Sequence, residues 1–137
     1  MAAYNKFQDF AERVGLKVHD FNADQFMAYL SNEQPLASDT VKADIAEITA
    51  QNGYAAGGFD LLNTYSEASG TGSVAVTDPT WTASGGSFGP FQFVVVYNNT
   101  DASDRLIGWW DVGAATTVTN GNTFAVNIAG DVLFTLA

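Results

Sequence analysis

Phe91-Gln92-Phe93-Val94-Val95-Val96-Tyr97 is the stretch on which the fold turns. Successive side chains of a strand point to opposite faces, and here both alternating sets are apolar, so the segment suits a central strand covered on each side. Asn98-Asn99-Thr100-Asp101 then turns the chain, and Leu106-Ile107-Gly108-Trp109-Trp110-Asp111-Val112 returns as a strand expected to run antiparallel to the first.

Working outward toward the C-terminus, Thr116 to Thr119 and Thr123 to Ile128 flank Asn120-Gly121, which predicts a hairpin with a type I′ turn. Phe124, Val126 and Ile128 alternate with Ala125 and Asn127, and Val132 to Leu136 reads as a last strand. Toward the N-terminus, Ser66 to Ser73 and Thr82 to Ser87 are Gly/Ser/Thr tracts expected as loops around short strands at Val74–Thr77 and Thr80–Thr82. Phe59 to Tyr65 and Gln25 to Ser31 read as strands, the latter bounded by turn residues on both sides.

The clearest helix signal runs from Ser38 to Gln51: Ser38, Asp39 and Thr40 offer capping oxygens, Val41, Ile45 and Ile48 line one stripe, and Asn52-Gly53 supplies a stop. The glycine-rich Gly53 to Gly58 follows as a structured connection around Tyr54. Phe7, Phe10, Ala11 and Val14 sit at helical spacing, but Leu16 and Val18 then alternate, so residues 1–24 fit a short helix or an irregular strand. Together these signals predict one mainly β domain over residues 1–137, an antiparallel two-sheet β-sandwich of jelly-roll-like kind with one or two short helices. The pattern does not fix the strand order.

Composition bounds the chemistry. With 137 residues, 47% hydrophobic and 13% aromatic, the chain has enough apolar surface for a core of its own. It contains no cysteine, which removes disulfides, thiolate nucleophiles and Cys-based metal sites. The N-terminus lacks the apolar stretch of a signal peptide, and Phe93 to Tyr97 is too short to span a bilayer, so a protein made and kept in solution in a cytoplasm is expected, with no membrane partner. Fifteen acidic residues against five basic give a net charge of −10, which opposes attraction to nucleic-acid phosphates. Four of the five cations, Lys6, Arg13, Lys17 and Lys42, precede residue 43, which leaves Arg105 alone among the later carboxylates.

No catalytic or cofactor motif stands out. His19 is the only histidine, and no serine sits in a Gly-x-Ser-x-Gly frame, so His19 reads as an ordinary surface or edge residue. Trp109-Trp110-Asp111 with Asp101 or Asp104 is the best place for paired carboxylates acting on a glycoside, or for sugar stacking without hydrolysis. The plainer reading is a strand that buries one tryptophan and ends in a turn. The acidic loop from Asn98 to Asp104 offers oxygens for calcium but departs from the EF-hand frame, so a solvated turn is expected. The glycine-rich stretches lack the Lys-Ser/Thr of a phosphate loop, and no cofactor or metal is implied. What remains is a surplus of rings over charge: Phe7, Phe10, Phe21, Trp81, Phe88, Phe91, Trp109 and Trp110 are the candidates to reach the surface and mediate association.

Asp44-Ile45-Ala46-Glu47-Ile48 followed by Asn52 to Gly58, then Trp81 to Phe91, Tyr97-Asn98-Asn99-Thr100 and Leu106 to Asp111, taken in this order, resembles a family of small structural proteins of tailed bacteriophages that includes capsid decoration or cement proteins. The likeness covers roughly Gln25 to Ala137 and carries no catalytic residues. It implies a virion β-sandwich protein, made in the bacterial host, that binds the outer surface of the major capsid protein lattice and stabilises the head. It also implies a homo-oligomer, dimer or trimer, whose modest contacts gain strength by repetition over the lattice. The competing expectation is a tail- or fibre-borne domain that binds a host glycan through Trp109 and Trp110.

Overall fold

The computed structural model describes residues 3–137, so residues 1 and 2 of the expected domain lie outside it. From the N-terminus the elements are β1 (Asn5–Lys6), α1 (Gln8–Gly15), β2 (Phe26–Ser31), β3 (Phe59–Asp60), β4 (Thr64–Ala68), β5 (Thr71–Ala75), β6 (Thr80–Thr82), β7 (Phe88–Asn98), β8 (Leu106–Val118), β9 (Thr123–Ala125) and β10 (Val132–Leu136). Single 3₁₀ turns occupy Lys42–Asp44 and Ala129–Asp131.

The protein is mainly β, and every strand pairing is antiparallel. The aromatic-valine stretch becomes β7, the middle strand of a five-stranded sheet ordered β1-β8-β7-β2-β3. A three-stranded sheet, β10-β5-β4, and a two-stranded sheet, β6-β9, contribute to the buried cluster on one face of it. The second layer is therefore split, with five, three and two strands in the sheets rather than the paired four-stranded sheets of a jelly roll.

Alternation along β2 and β7 builds two cores from one sheet. Phe26, Ala28, Leu30, Val94 and Val96 point inward and meet Val74, Trp81, Val126 and Leu133 from the smaller sheets. Tyr29, Phe93, Val95 and Tyr97 point the other way, where Phe7, Ile45 and Leu106 join them. Burying each such side chain completely contributes about 1.5–3 kcal/mol. Both faces of β7 are thus apolar because both are covered, as its sequence predicts.

What covers the outer face differs from expectation. The helix predicted over Ser38 to Gln51 is absent apart from the turn at Lys42–Asp44. Its backbone groups have tertiary partners instead: Ile48 N–H donates to Leu30 C=O (3.0 Å), Ala46 N–H to the Glu33 carboxylate (3.0 Å), and the Ser31 hydroxyl to Ala46 C=O. Ile45 is driven into the outer core, and an α-helix would withdraw these donors from the sheet. The Asp44 carboxylate accepts from Thr40 and Val41 N–H, which holds its pKa below the ordinary 3.8, but it closes only one turn.

Three further corrections concern strands. Thr116 to Thr119 and Thr123 to Ile128 do not form a hairpin; β8 keeps to β7 through Val118, while β9 pairs with β6. Gly121 has φ +87° and Asn120 lies outside the left-handed region, so the turn is not type I′ and passes the chain from one sheet to the other. The tract from Ser66 to Ser73 is itself a hairpin, β4-β5, reversing at Ser69 and Gly70, whose φ values of 52° and 85° suit a two-residue turn. The strand expected over Phe59 to Tyr65 breaks at Leu61 to Asn63, where the chain leaves the main sheet for the three-stranded one.

The N-terminal ambiguity resolves as α1. Asp9 and Arg13 pair one turn apart (Nε to Oδ2 3.2 Å), Arg105 approaches the same carboxylate (3.6 Å), and Phe10 is the helix's buried anchor.

Candidate functional site

The aromatic side chains expected at the surface are mostly interior. Phe7, Phe88 and Phe91 are fully enclosed, and Phe10, Phe21, Trp81 and Trp110 are buried, which leaves Trp109 as the one partly exposed member of the set. Phe10, Phe21, Trp81, Phe88, Phe91 and Trp110 fill the inner core where the smaller sheets meet the main one, and Phe7 fills the outer core. Phe10, Phe21 and Phe134 form a ring cluster at 5.1–6.1 Å, and Phe91 meets Phe124 at 4.8 Å across two sheets.

Trp109 and Trp110 point to opposite faces of β8. Trp110 packs on Tyr4 (5.2 Å between centroids) in the inner core, and Trp109 packs on Phe7 (4.5 Å) at the margin of the outer one. A paired-tryptophan platform for a sugar is therefore not formed. Asp111 accepts from Gln92 (3.0 Å) and from Gly113 N–H (2.8 Å). It sits five residues along β8 from Leu106, about 17 Å from the turn that holds Asp101 and Asp104, too far for two carboxylates to act on one glycosidic bond. In that turn, Asp101 accepts from Ser103 and Arg105 N–H, and Asn98 from Thr100 and Asp101 N–H, so the loop oxygens are engaged with their own backbone. Among the described residues, no group of three or more His, Cys, Asp or Glu side chains converges as a metal would require.

The most developed polar cluster is one that sequence reasoning missed. His19, expected at a surface or edge, is buried between Phe10 (5.3 Å) and Phe26 (6.2 Å). Its Nδ1 lies 3.0 Å from Asn98 Nδ2, which also donates to Asp24 (2.7 Å). Because an amide nitrogen only donates, Nδ1 accepts and the ring proton resides on Nε2, which is buried without a partner. Burial lowers the His19 pKa from 6.5, opposed by the carboxylates of Asp101, Asp24 and Asp9 and reinforced by Arg105. Beneath it, Asn63 accepts from Phe26 N–H (2.9 Å) and donates to Phe21 and Asp24 C=O (2.7 and 2.9 Å). The only sequence signal for this cluster was the turn expected at Asn98 after Phe91–Tyr97; Asn63 fell inside the strand expected over Phe59 to Tyr65.

Beside the cluster, Lys17, His19, Asp20, Asn22, Asp24 and Tyr65 help line an open depression of about 470 Å³. Its polar groups tie residues 19–24 to the end of β7 and the start of β4.

A second cluster fastens residues 42–57 along the edge of β2 away from β7, with Ile45 in the outer core and Tyr54 in the inner one. Lys42 Nζ contacts Glu47 (2.9 Å) and lies over the rings of Tyr29 (4.7 Å) and Tyr97 (5.5 Å). The other Glu47 oxygen accepts from Tyr54 O–H (2.6 Å) and Gly57 N–H (2.8 Å). Burial, with the nearby Asp104 and Glu47 carboxylates, pushes the Tyr97 phenol up to about 12, and raises Tyr29 and Tyr54 further.

No helix among the described residues is long and apolar enough to cross a membrane. No protein family model, curated protein or solved structure matches the chain.

Proposed function

We propose that this chain is a non-enzymatic structural protein of a tailed-bacteriophage particle, a decoration or cement protein that sits on the major capsid protein lattice and stabilises the head. The observation that carries the reading is how the reactive side chains are used. His19, Asp24 and Asp111 are engaged in hydrogen bonds that join one segment of the fold to another, Lys42 pairs with Glu47 over the rings of Tyr29 and Tyr97, and Asp101 caps its own turn. A sheet clamped on both faces suits a component that must keep its shape under load, and the ordered resemblance from Asp44 to Asp111 points to the same class. Weak lattice contacts, repeated over many copies, would supply the affinity.

Quantitative mass spectrometry of purified particles tests the assignment. Many copies per head are expected, together with a lower temperature of DNA release from particles that lack the protein and recovery when purified chain is added back. Absence from the particle, or no change in DNA release on its removal, would refute the role.

A further inference from the structure

The ionisable residues of this chain are unevenly placed. From Ile48 to Phe59, from Pro79 to Thr100 and from Val112 to Gly130 it contains no Asp, Glu, Lys, Arg or His, although the whole carries a net charge of −10. The fold gathers parts of all three segments at one end. β6 pairs with β9, and the first residues of β7 pair with the last of β8 at Phe88↔Val118 and Phe91↔Thr116. Asn52 C=O accepts from Ser84 N–H (2.9 Å), and its side chain donates to Ser87 C=O (2.8 Å). Gly85 N–H reaches the Asn120 side chain (3.1 Å), and Gly121 N–H reaches Ala83 C=O (2.9 Å). The surface of this end is made of small neutral side chains, among them exposed Thr82, Pro90, Ala115, Thr117, Asn120 and Thr123.

We propose that this charge-free end is a self-association face that takes a second copy of the chain. An interface around a two-fold axis brings each patch against its own image, so every net charge on it meets a like charge. With fifteen acidic and five basic residues, most of the molecule repels its copy; the neutral end does not. The end also has backbone to offer: from Val112 to Val118 the edge of β8 away from β7 pairs with no strand, and it bears neither the charge nor the proline that commonly blunts a strand edge. A stable dimer covers about 800 Å² per partner, roughly an eighth of the 6557 Å² exposed here, an area that one end of the molecule can supply. The inference does not depend on the particle role, because the charge distribution is the same whatever the chain attaches to.

Sedimentation velocity of the full chain at low and high salt tests it, alongside two variants that place charge on the face, Ala115→Asp with Thr117→Asp, and Thr123→Asp alone. Ala102→Asp, exposed in the turn between β7 and β8, adds the same charge at the other end. Reversible association is expected, tightening with salt as the remaining charge is screened. The face variants should weaken it by roughly tenfold or more with unchanged circular dichroism, and Ala102→Asp should leave it nearly unaltered. A chain monomeric to about 1 mM, association that loosens with salt, or association indifferent to the face variants would each overturn the proposal.

Discussion

The Tyr54 hydroxyl joins two parts of the chain that are remote in sequence: it donates to Glu47 at 2.6 Å and accepts from the backbone N–H of Leu30 at 3.0 Å. The same oxygen thereby satisfies a buried donor of the central sheet and anchors the segment that runs along the edge of β2. Removing it with Tyr54→Phe leaves the Leu30 N–H unpaired in the core at nearly constant volume. A loss of about 1–3 kcal/mol is expected, read as a lower denaturant midpoint at unchanged slope.

Asn63 makes three hydrogen bonds at the corner where the chain passes between sheets. Asn63→Ala should cost about 3 kcal/mol by stranding those partners. Asn63→Asp keeps the shape but turns a carboxylate toward two carbonyl oxygens, so it should be more destabilising than alanine near neutral pH and recover toward it in acid. Equilibrium unfolding at two pH values distinguishes the pair.

The pH dependence of stability follows from His19. Its folded pKa lies below 6.5, so the unfolded chain binds the proton more readily and stability falls as pH drops below about that value, levelling once the folded form also protonates. Above it the residue contributes no slope. His19→Gln should flatten the unfolding midpoint between pH 7.5 and the onset of carboxylate titration; an unchanged slope in the variant would assign the dependence elsewhere.

Gly108 has no Cβ because the ring of Tyr4 occupies that space, and Tyr4 in turn packs on Trp110. Gly108→Ala should displace the ring, increase quenching of Trp110 fluorescence by iodide and destabilise by about 1–3 kcal/mol. Tyr4→Phe, which removes a buried hydroxyl without a partner, should be neutral or stabilising.

The sequence disclosed the parts of this fold that depend on local pattern and concealed those that depend on what lies opposite. β7, β8, β2 and β10 were legible because their alternation or double-sided apolarity has a single reading in a covered sheet. Ser38 to Gln51 was misread because capping residues and a spaced Val41, Ile45 and Ile48 fit a helix locally, while the deciding bonds run to Leu30, Ser31 and Glu33. The aromatic side chains were offered as surface candidates for a related reason: their burial depends on how the smaller sheets and the N-terminal segment pack on the main sheet, which local pattern does not encode. His19, Asn98 and Asn63 gave no sign of acting together because they are brought side by side only by tertiary packing.

Phe93-Val94-Val95-Val96-Tyr97 has a further implication for synthesis. Uncharged, free of proline and rich in β-branched and aromatic residues, it has the composition of segments that stack into cross-β aggregates. During translation, β2 leaves the ribosome before it, as do Phe7 and Ile45 of the outer core and Val74 and Trp81 of the inner one, so one edge and part of each face have cover waiting; β8, which closes the other edge, follows it. Until β8 is made the second edge of this segment stays open to another copy, so slow decoding or truncation between Tyr97 and Val118 would favour aggregation.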